Sequence, residues 1–310
     1  MNQKLAFVFP GQGSQFPGML ADLATQYSII QTTFAEASEI MQRDLWQLAQ
    51  EGSDADLNRT DLTQPLLLTA SIALWRLWGE QGGQQPEFVS GHSLGEYSAL
   101  VAAGAIEFGD AVGLVNKRGL FMQAAVPEGK GLMAAILGLE DETLVSVCAQ
   151  ASQGQVVSAV NFNAPGQEVI AGQAEAVERA IELCQAAGAR RALPLSVSVP
   201  SHCALMRPAA EQLAQALSHI TIKQPLIPVV QNVSAAALTD SELIKQALVE
   251  QLYRPVLWVD CVNTLTANGV ERVIECGPGK VLTGLNKRIN RQLELAAIGD
   301  LANFNAALLL

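Results

Sequence analysis

The stretch GHSLGE at residues 91–96 places Ser93 between two glycines, after a short apolar run and before an amphipathic one. A nucleophilic serine requires that setting. At a sharp strand-to-helix turn the hydroxyl projects from the backbone, small neighbours let the chain reverse, and the unpaired N–H groups of the following helix can hold an oxyanion. EFVSG supplies the strand and LGEYSALVAAG the helix. The pattern alone leaves two readings open, a reactive Ser93 or a plain turn that contains a serine.

A serine alcohol needs a base, and the chain has three histidines, His92, His202 and His219. His92 adjoins Ser93 and is expected to point away from it into a structural hydrogen bond. His219 closes an amphipathic helix, a common place for a polar terminal residue. His202, in VSVPSHCALM, lies where an inserted unit rejoins the main sheet, so it either faces a cleft between the two or caps a helix. Cys203 beside it makes a poor partner, because consecutive residues on a helix point about 100° apart. Arg118 falls on the stripe Ala111, Val115, Met122, Ala125 of a helix-like segment. A guanidinium there is costly without an anion. It pairs with a protein carboxylate or awaits a substrate carboxylate, and Gly119, leaving room beside it, favours the substrate.

Other signals exclude chemistries. PGQGSQ is not a dinucleotide fingerprint, since the third glycine position of GxGxxG holds Phe16, and GPGKV lacks the spacing and Ser/Thr of a Walker loop. Five cysteines at wide gaps, with no CxxC pair, indicate neither a disulfide framework nor a zinc site. A net charge of −11 disfavours nucleic acid and anionic membranes. No long uncharged apolar span is present, and the first apolar run is too short for a signal-peptide core, so a cytoplasmic protein is expected. Hydrophobic residues at 49% against 16% charged suit a globular chain with an aliphatic core.

The elements that must position these residues follow from periodicity. A buried strand over 5–9 stops at Pro10, helical patterning runs through about 18–50 and 63–80, and further helices follow Ser93 and surround Arg118. From 130 to 196 the order is strand, helix, strand, turn NAPGQ, strand, helix and the strand RALPLSV, a split βαβ pattern. Strand and helix alternation then resumes to about residue 297, which completes a mostly parallel sheet.

Taken together, FVFPGQGSQ, GHSLGEYSAL, KRGLFMQ, NFNAPGQ, VPSHCALM, PVVQNV, QLYRPVLW and ECGPGKVLTGL resemble the malonyl-CoA:acyl-carrier-protein transacylases of fatty acid synthesis over nearly the whole chain. The resemblance implies that Ser93 is the nucleophile and His202 the general base, oriented by the carbonyl of Gln251 in place of an aspartate. It further implies an oxyanion hole from the N–H groups of Gln12 and Leu94, a malonyl carboxylate held by Arg118, and Asn161 and Asn232 lining the site or binding water in it. The expected partners are malonyl-CoA and acyl carrier protein, with no cofactor and no metal. Because both partners are acidic, Lys280, Lys287, Arg288 and Arg291 form a candidate carrier-docking patch, three of them expected on one helical face by the spacing 280, 287, 291, with Arg190 and Arg191 adding two more charges, although a solvated helix end explains those charges equally well. The expected fold is α/β: a large α/β-hydrolase-like domain from residues 1–127 and 205–310, with residues 128–204 inserted as a ferredoxin-like βαββαβ subdomain.

Two other readings compete. An α/β-hydrolase esterase shares GxSxG, but normally places several strands before the serine and its histidine late in the chain. A non-catalytic carrier-binding subunit would retain the scaffold without the chemistry.

Overall fold

The computed structural model describes residues 3–195 and 199–310. Among the described residues ten strands form two sheets: β1 (Lys4–Phe9), β2 (Phe88–Gly91), β3 (Gly131–Leu137), β4 (Val157–Ala164), β5 (Gln167–Gln173), β6 (Arg191–Pro194), β7 (Val229–Val230), β8 (Ala237–Leu238), β9 (Val270–Glu275) and β10 (Glu294–Ala297). The larger sheet runs β10-β9-β1-β2-β7-β8. Its first five strands are parallel and β8 is antiparallel to β7. The smaller sheet, β4-β5-β3-β6, is antiparallel throughout.

β1 reads as an unbroken apolar run because both faces of the sheet are covered. Leu5, Phe7 and Phe9 pack into one helical layer, while Ala6 and Val8 pack against Trp258, Val262 and Leu265 on the other. Phe7 meets Trp75 and Trp78 edge-on, each with ring centroids 5.3 Å apart.

The helix Thr60–Glu80 is buried nearly all round, as its composition requires, with 17 of its 21 residues inside. Pro65 within it has no N–H to offer the carbonyl of Asp61, four residues back. Asn116 Nδ2 donates to that carbonyl instead, at 2.9 Å. The same contact ties this helix to Phe108–Ala125, which carries Arg118. Gly119 makes the approach possible: a Cβ there would come within 2.6 Å of Asp61 Cα. The room beside Arg118 thus admits the neighbouring helix, not the substrate space expected from the sequence.

Local details depart from the periodicity reading where single residues break it. The pattern over 18–50 is three helices, Ala21–Ala24, Ser28–Met41 and Leu45–Glu51, and the last break falls at Gln42 with φ of 50°. The strand expected over RALPLSV extends to Pro194; residues 196 and 197 of it lie outside the described residues. A final helix, Leu301–Leu308, follows β10 beyond the expected end of the alternation.

Candidate active site

Ser93 stands at the end of β2 with φ of 51°, a left-handed conformation that a non-glycine residue adopts only under tight constraint. The glycines supply the constraint. A Cβ on Gly91 would lie 1.9 Å from Gly95 C, and one on Gly95 would lie 1.9 Å from Phe9 O, so the turn, its helix and β1 interlock through bare backbone. Gly11 likewise lets the loop after β1 settle on the peptide of His92, since a Cβ there would meet His92 O at 2.5 Å. The interlocking brings Gln12 and Leu94 to the lining of the same cavity as the serine. Neither backbone N–H donates to a protein acceptor among the described residues.

Opposite stands His202, also left-handed at φ of 64° and buried. Its backbone N–H donates to Leu252 O at 3.0 Å. Its Nδ1 lies 2.6 Å from Gln251 O, and its Nε2 lies 2.8 Å from Ser93 Oγ. A carbonyl can only accept, so Nδ1 carries the proton. Burial, reinforced by the charge of Arg118, pushes His202 down to about 3. The neutral ring therefore presents a bare Nε2 lone pair to the Ser93 hydroxyl at neutral pH, which is the tautomer a base needs.

Arg118 is buried and closes the third side. Its Nη1 donates to Gln64 Oε1 at 2.8 Å, and its Nη2 donates to Gln251 Oε1 at 2.9 Å and to Ser93 Oγ at 3.3 Å. No carboxylate lies within ion-pair distance among the described residues, and Nε has no acceptor. The first of the two readings, a protein carboxylate as partner, is thereby set aside. Burial without a counter-ion lowers the affinity of the guanidinium for its proton, and the Tyr97 ring, 5.4 Å away, partly offsets this.

Asn232, expected to line the site, is fully buried behind it. Its Oδ1 accepts from Ser93 N at 2.7 Å and its Nδ2 donates to Gly91 O at 2.6 Å, so both ends of the amide are spent on the turn. Gln251 adds a second brace, donating from Nε2 to Ser93 O at 3.0 Å. Asn161 does reach the cavity, aimed there by an irregularity of β4 between Ala159 and Asn161, and its Oδ1 has no partner. His92 behaves as expected, with Nε2 donating to Asn163 Oδ1 at 2.7 Å. Cys203 is pushed up to about 11 by burial and donates to Pro200 O. His219 is exposed, just past the helix that ends at Leu217.

Ser93, His202, Arg118 and Asn161 surround a cavity of about 190 Å³, which the antiparallel sheet completes with Met133 and Val169. Clefts enclosing drug-sized ligands run to roughly 300–1,000 Å³. This one suits a short acyl group. Two residues of the site escaped sequence reasoning. Gln64 was hidden in an apolar helix, where an uncharged polar residue facing inward was its only signal. Glu96 was read only as part of the helix after Ser93; it is fully buried, and burial pushes it up to about 7.

The four basic candidates lie away from the cavity, all exposed. The helix spans Val281–Ile289, so Lys280 precedes it and Arg291 follows it, and the common helical face expected for 280, 287 and 291 does not form. Arg288 donates to Gln167 and to Pro165 O, pinning this helix to the β4–β5 turn.

A mostly parallel sheet capped by an antiparallel one, with a serine–imidazole pair in a small cavity between them, is an acyl-transfer architecture. The chain belongs to the acyl transferase domain family, whose model matches residues 6–300. It is 59% identical over 305 residues to the malonyl CoA-acyl carrier protein transacylase of Escherichia coli K12, covering 98% of this chain and 99% of that one. The enzyme of the same name from Bacillus subtilis is 50% identical over 298 residues, covering 96% and 94%. Among solved structures, an acyl carrier protein S-malonyltransferase from Vibrio cholerae superposes with a TM-score of 0.96 at 60% identity, covering 98% and 99%. A malonyl-transacylase in complex with a type II PKS acyl-carrier protein gives 0.97 at 56%, with the same coverage.

Proposed function

We propose that this chain takes the malonyl group from malonyl-CoA onto Ser93 and passes it to the pantetheine thiol of an acyl carrier protein, in a ping-pong reaction that supplies fatty acid elongation. The observation that carries this reading is the single atom Ser93 Oγ, 2.8 Å from the neutral base and 3.3 Å from an unneutralised, buried guanidinium. A base beside a hydroxyl makes a nucleophile; a cation beside it selects an acyl group that ends in a carboxylate.

In the first half-reaction the Ser93 hydroxyl gives its proton to His202 Nε2 as Oγ attacks the thioester carbonyl. The N–H groups of Gln12 and Leu94 stabilise the oxyanion, each such donor being worth about 3 kcal/mol in the transition state. Collapse breaks the carbon–sulfur bond, and the departing thiolate takes the proton from His202. In the second half-reaction the carrier thiol gives its proton to the same nitrogen, its sulfur attacks the ester, and Ser93 leaves as the alcohol. The carbonyl of Gln251 fixes the tautomer throughout. It stabilises imidazolium less than a carboxylate would, and the return of the proton within each half-reaction matches that.

Arg118 binds the malonyl carboxylate, exchanging its contact with Ser93 for a charge-assisted pair. An acetyl group would leave the guanidinium buried and unpaired, which is the basis of discrimination. Asn161 faces the acyl group or a water beside it. Two features support reading residues 1–127 and 205–310 as an α/β-hydrolase-like domain with residues 128–204 inserted as a ferredoxin-like subdomain. One is the parallel sheet on which Ser93 sits; the other is the strand order β4-β5-β3-β6, which is that of a split βαβ unit. For carrier docking, the exposed Lys287 and Arg291 stand at the C-terminal end of this helix and Lys280 at its other end, with Arg288 partly committed to the β4–β5 turn.

The test is intact-mass analysis after mixing with malonyl-CoA, followed by addition of pantetheinylated carrier. A malonyl adduct on Ser93 that disappears as malonyl-carrier forms is the expected result. No adduct on Ser93 would overturn the reading.

A further inference from the structure

Glu96 is a carboxyl group with 0% exposure, three residues after Ser93, and it makes no ion pair among the described residues. Such a group is expensive to bury, and a leucine or methionine would fill the same space without that cost. Its hydrogen bond at normal distance is to Asn232, whose backbone N–H donates to Oε2 at 2.7 Å, while Oε1 has no partner among the described residues; the Gln251 side chain and the Arg118 charge lie near enough to favour its ionised form. Asn232 is in turn the residue whose Oδ1 takes the Ser93 N–H at 2.7 Å and lies 3.4 Å from Gln251 Nε2, and the carbonyl of Gln251 takes His202 Nδ1 at 2.6 Å. Glu96 therefore holds the peptide of a residue whose side chain touches both halves of the site, across 136 positions of sequence.

We infer that Glu96 is a positioning residue for acyl transfer, acting through Asn232 to fix the Ser93 turn against the Gln251–His202 side. The inference rests on the acyl-transfer reading above. What the arrangement uses is an oxygen that reaches the Asn232 N–H, not a charge. A protonated carboxyl keeps an accepting oxygen, and so does the amide of glutamine. Aspartate is shorter by one methylene and draws that oxygen out of reach, although it keeps the charge. Misplacement of reacting groups by about 1 Å can cost on the order of 100-fold in rate.

The experiment measures single-turnover acylation of Ser93 by malonyl-CoA in the wild type and in Glu96→Gln, Glu96→Asp and Glu96→Leu. The Gln variant should stay within about threefold of wild type, and the Asp and Leu variants should fall by roughly 10- to 100-fold in rate. The malonyl-CoA concentration at half-saturation should shift far less, because Arg118 is untouched. In an Asn232→Ala background the Glu96 substitutions should add little, since coupled residues are non-additive when one acts through the other. An Asp variant as fast as wild type, a Gln variant as slow as Leu, or a full additive loss in the Asn232→Ala background would each overturn the inference. If Leu does not fold, the Gln-over-Asp order still decides. Failure of the wild type to acylate at all would instead remove the acyl-transfer reading, so the two failures are distinguishable.

Discussion

The Ser93 turn and the His202 side meet across 2.8 Å but are built in opposite ways. The turn is held by what is missing: Gly91, Gly95 and Gly11 remove side chains so that three backbone segments can interlock. The His202 side is held by what is added, namely a ring nitrogen on a carbonyl, a backbone N–H on Leu252 O and a glutamine reaching across to Ser93 O. Steric interlocking is all-or-none, whereas hydrogen bonds can be lost singly for about 1 kcal/mol each. Substitutions on the two sides should therefore fail differently.

The largest effect is expected where the two sides touch. Ser93→Ala should lower malonyl transfer on the order of 10⁴-fold or more, with no covalent adduct by mass spectrometry. Transfer within tenfold of wild type would place the chemistry elsewhere. Next is Arg118, which touches both sides through Nη2. Arg118→Ala should cut the preference for malonyl over acetyl by roughly 100- to 1,000-fold, the penalty of an unpaired buried polar group being removed from the acetyl complex. Competition between the two acyl-CoAs in a purified transfer assay measures it, and unchanged selectivity would count against a carboxylate site at Arg118.

The comparison itself is sharpened by Gly95→Ala. The new Cβ would meet Phe9 O and Pro10 O, at 1.9 and 2.9 Å, neither of which can move without shifting β1. At least about 2 kcal/mol of stability should be lost on overpacking grounds, read as a lower denaturant midpoint. Its residual activity should keep the wild-type pH profile, because nothing on the His202 side has changed.

That profile reports His202. Its value of about 3 in the folded chain lies below the ordinary 6.5, so the ring stays neutral and competent until the pH has fallen well past 6. The acid limb of kcat/KM for malonyl-CoA, which reads the free enzyme, should be absent between pH 8 and about 5. By linkage, the unfolded chain protonates His202 from about 6.5 downward while the folded chain does not. The neutral ring thus favours folding above that point, and its contribution is lost as the pH falls toward 3. A limb centred near 6.5 would mean that the ring is more solvated than its burial implies.

The same division explains what the sequence discloses. The Ser93 turn is contiguous: strand, glycines, serine and helix can be read from residues 88 to 100 because local backbone geometry dictates each type. Arg118 is legible too, as a charge on an apolar stripe. The His202 side is assembled from segments far apart in the chain, and what matters there is often a backbone group, which has no signature in side-chain types. Gln251 O and the Asn232 N–H were reachable only through family resemblance or not at all. Pro65 and Asn116 show the same limit, since nothing local links a helix-breaking residue to the distant amide that repairs it. The three helices within 18–50 were blurred because Gln42, unlike glycine, does not announce a left-handed residue.

The smallest effect lies outside both sides. Lys287 is exposed and makes no ion pair among the described residues, whereas Arg288 is tied to the β4–β5 turn, so Lys287 is the cleaner probe of docking. Charge reversal of a rim residue mainly alters encounter with a partner of opposite sign. Lys287→Glu should raise the carrier KM severalfold, on the order of the 1 kcal/mol expected for a peripheral contact, and the effect should fade with added salt as screening shortens the field. Acylation by malonyl-CoA and slow hydrolysis of the acyl-enzyme should be unchanged, because neither reaction involves the carrier. A carrier KM identical to wild type at low ionic strength would move the docking surface away from this helix end, with the serine–histidine comparison left intact.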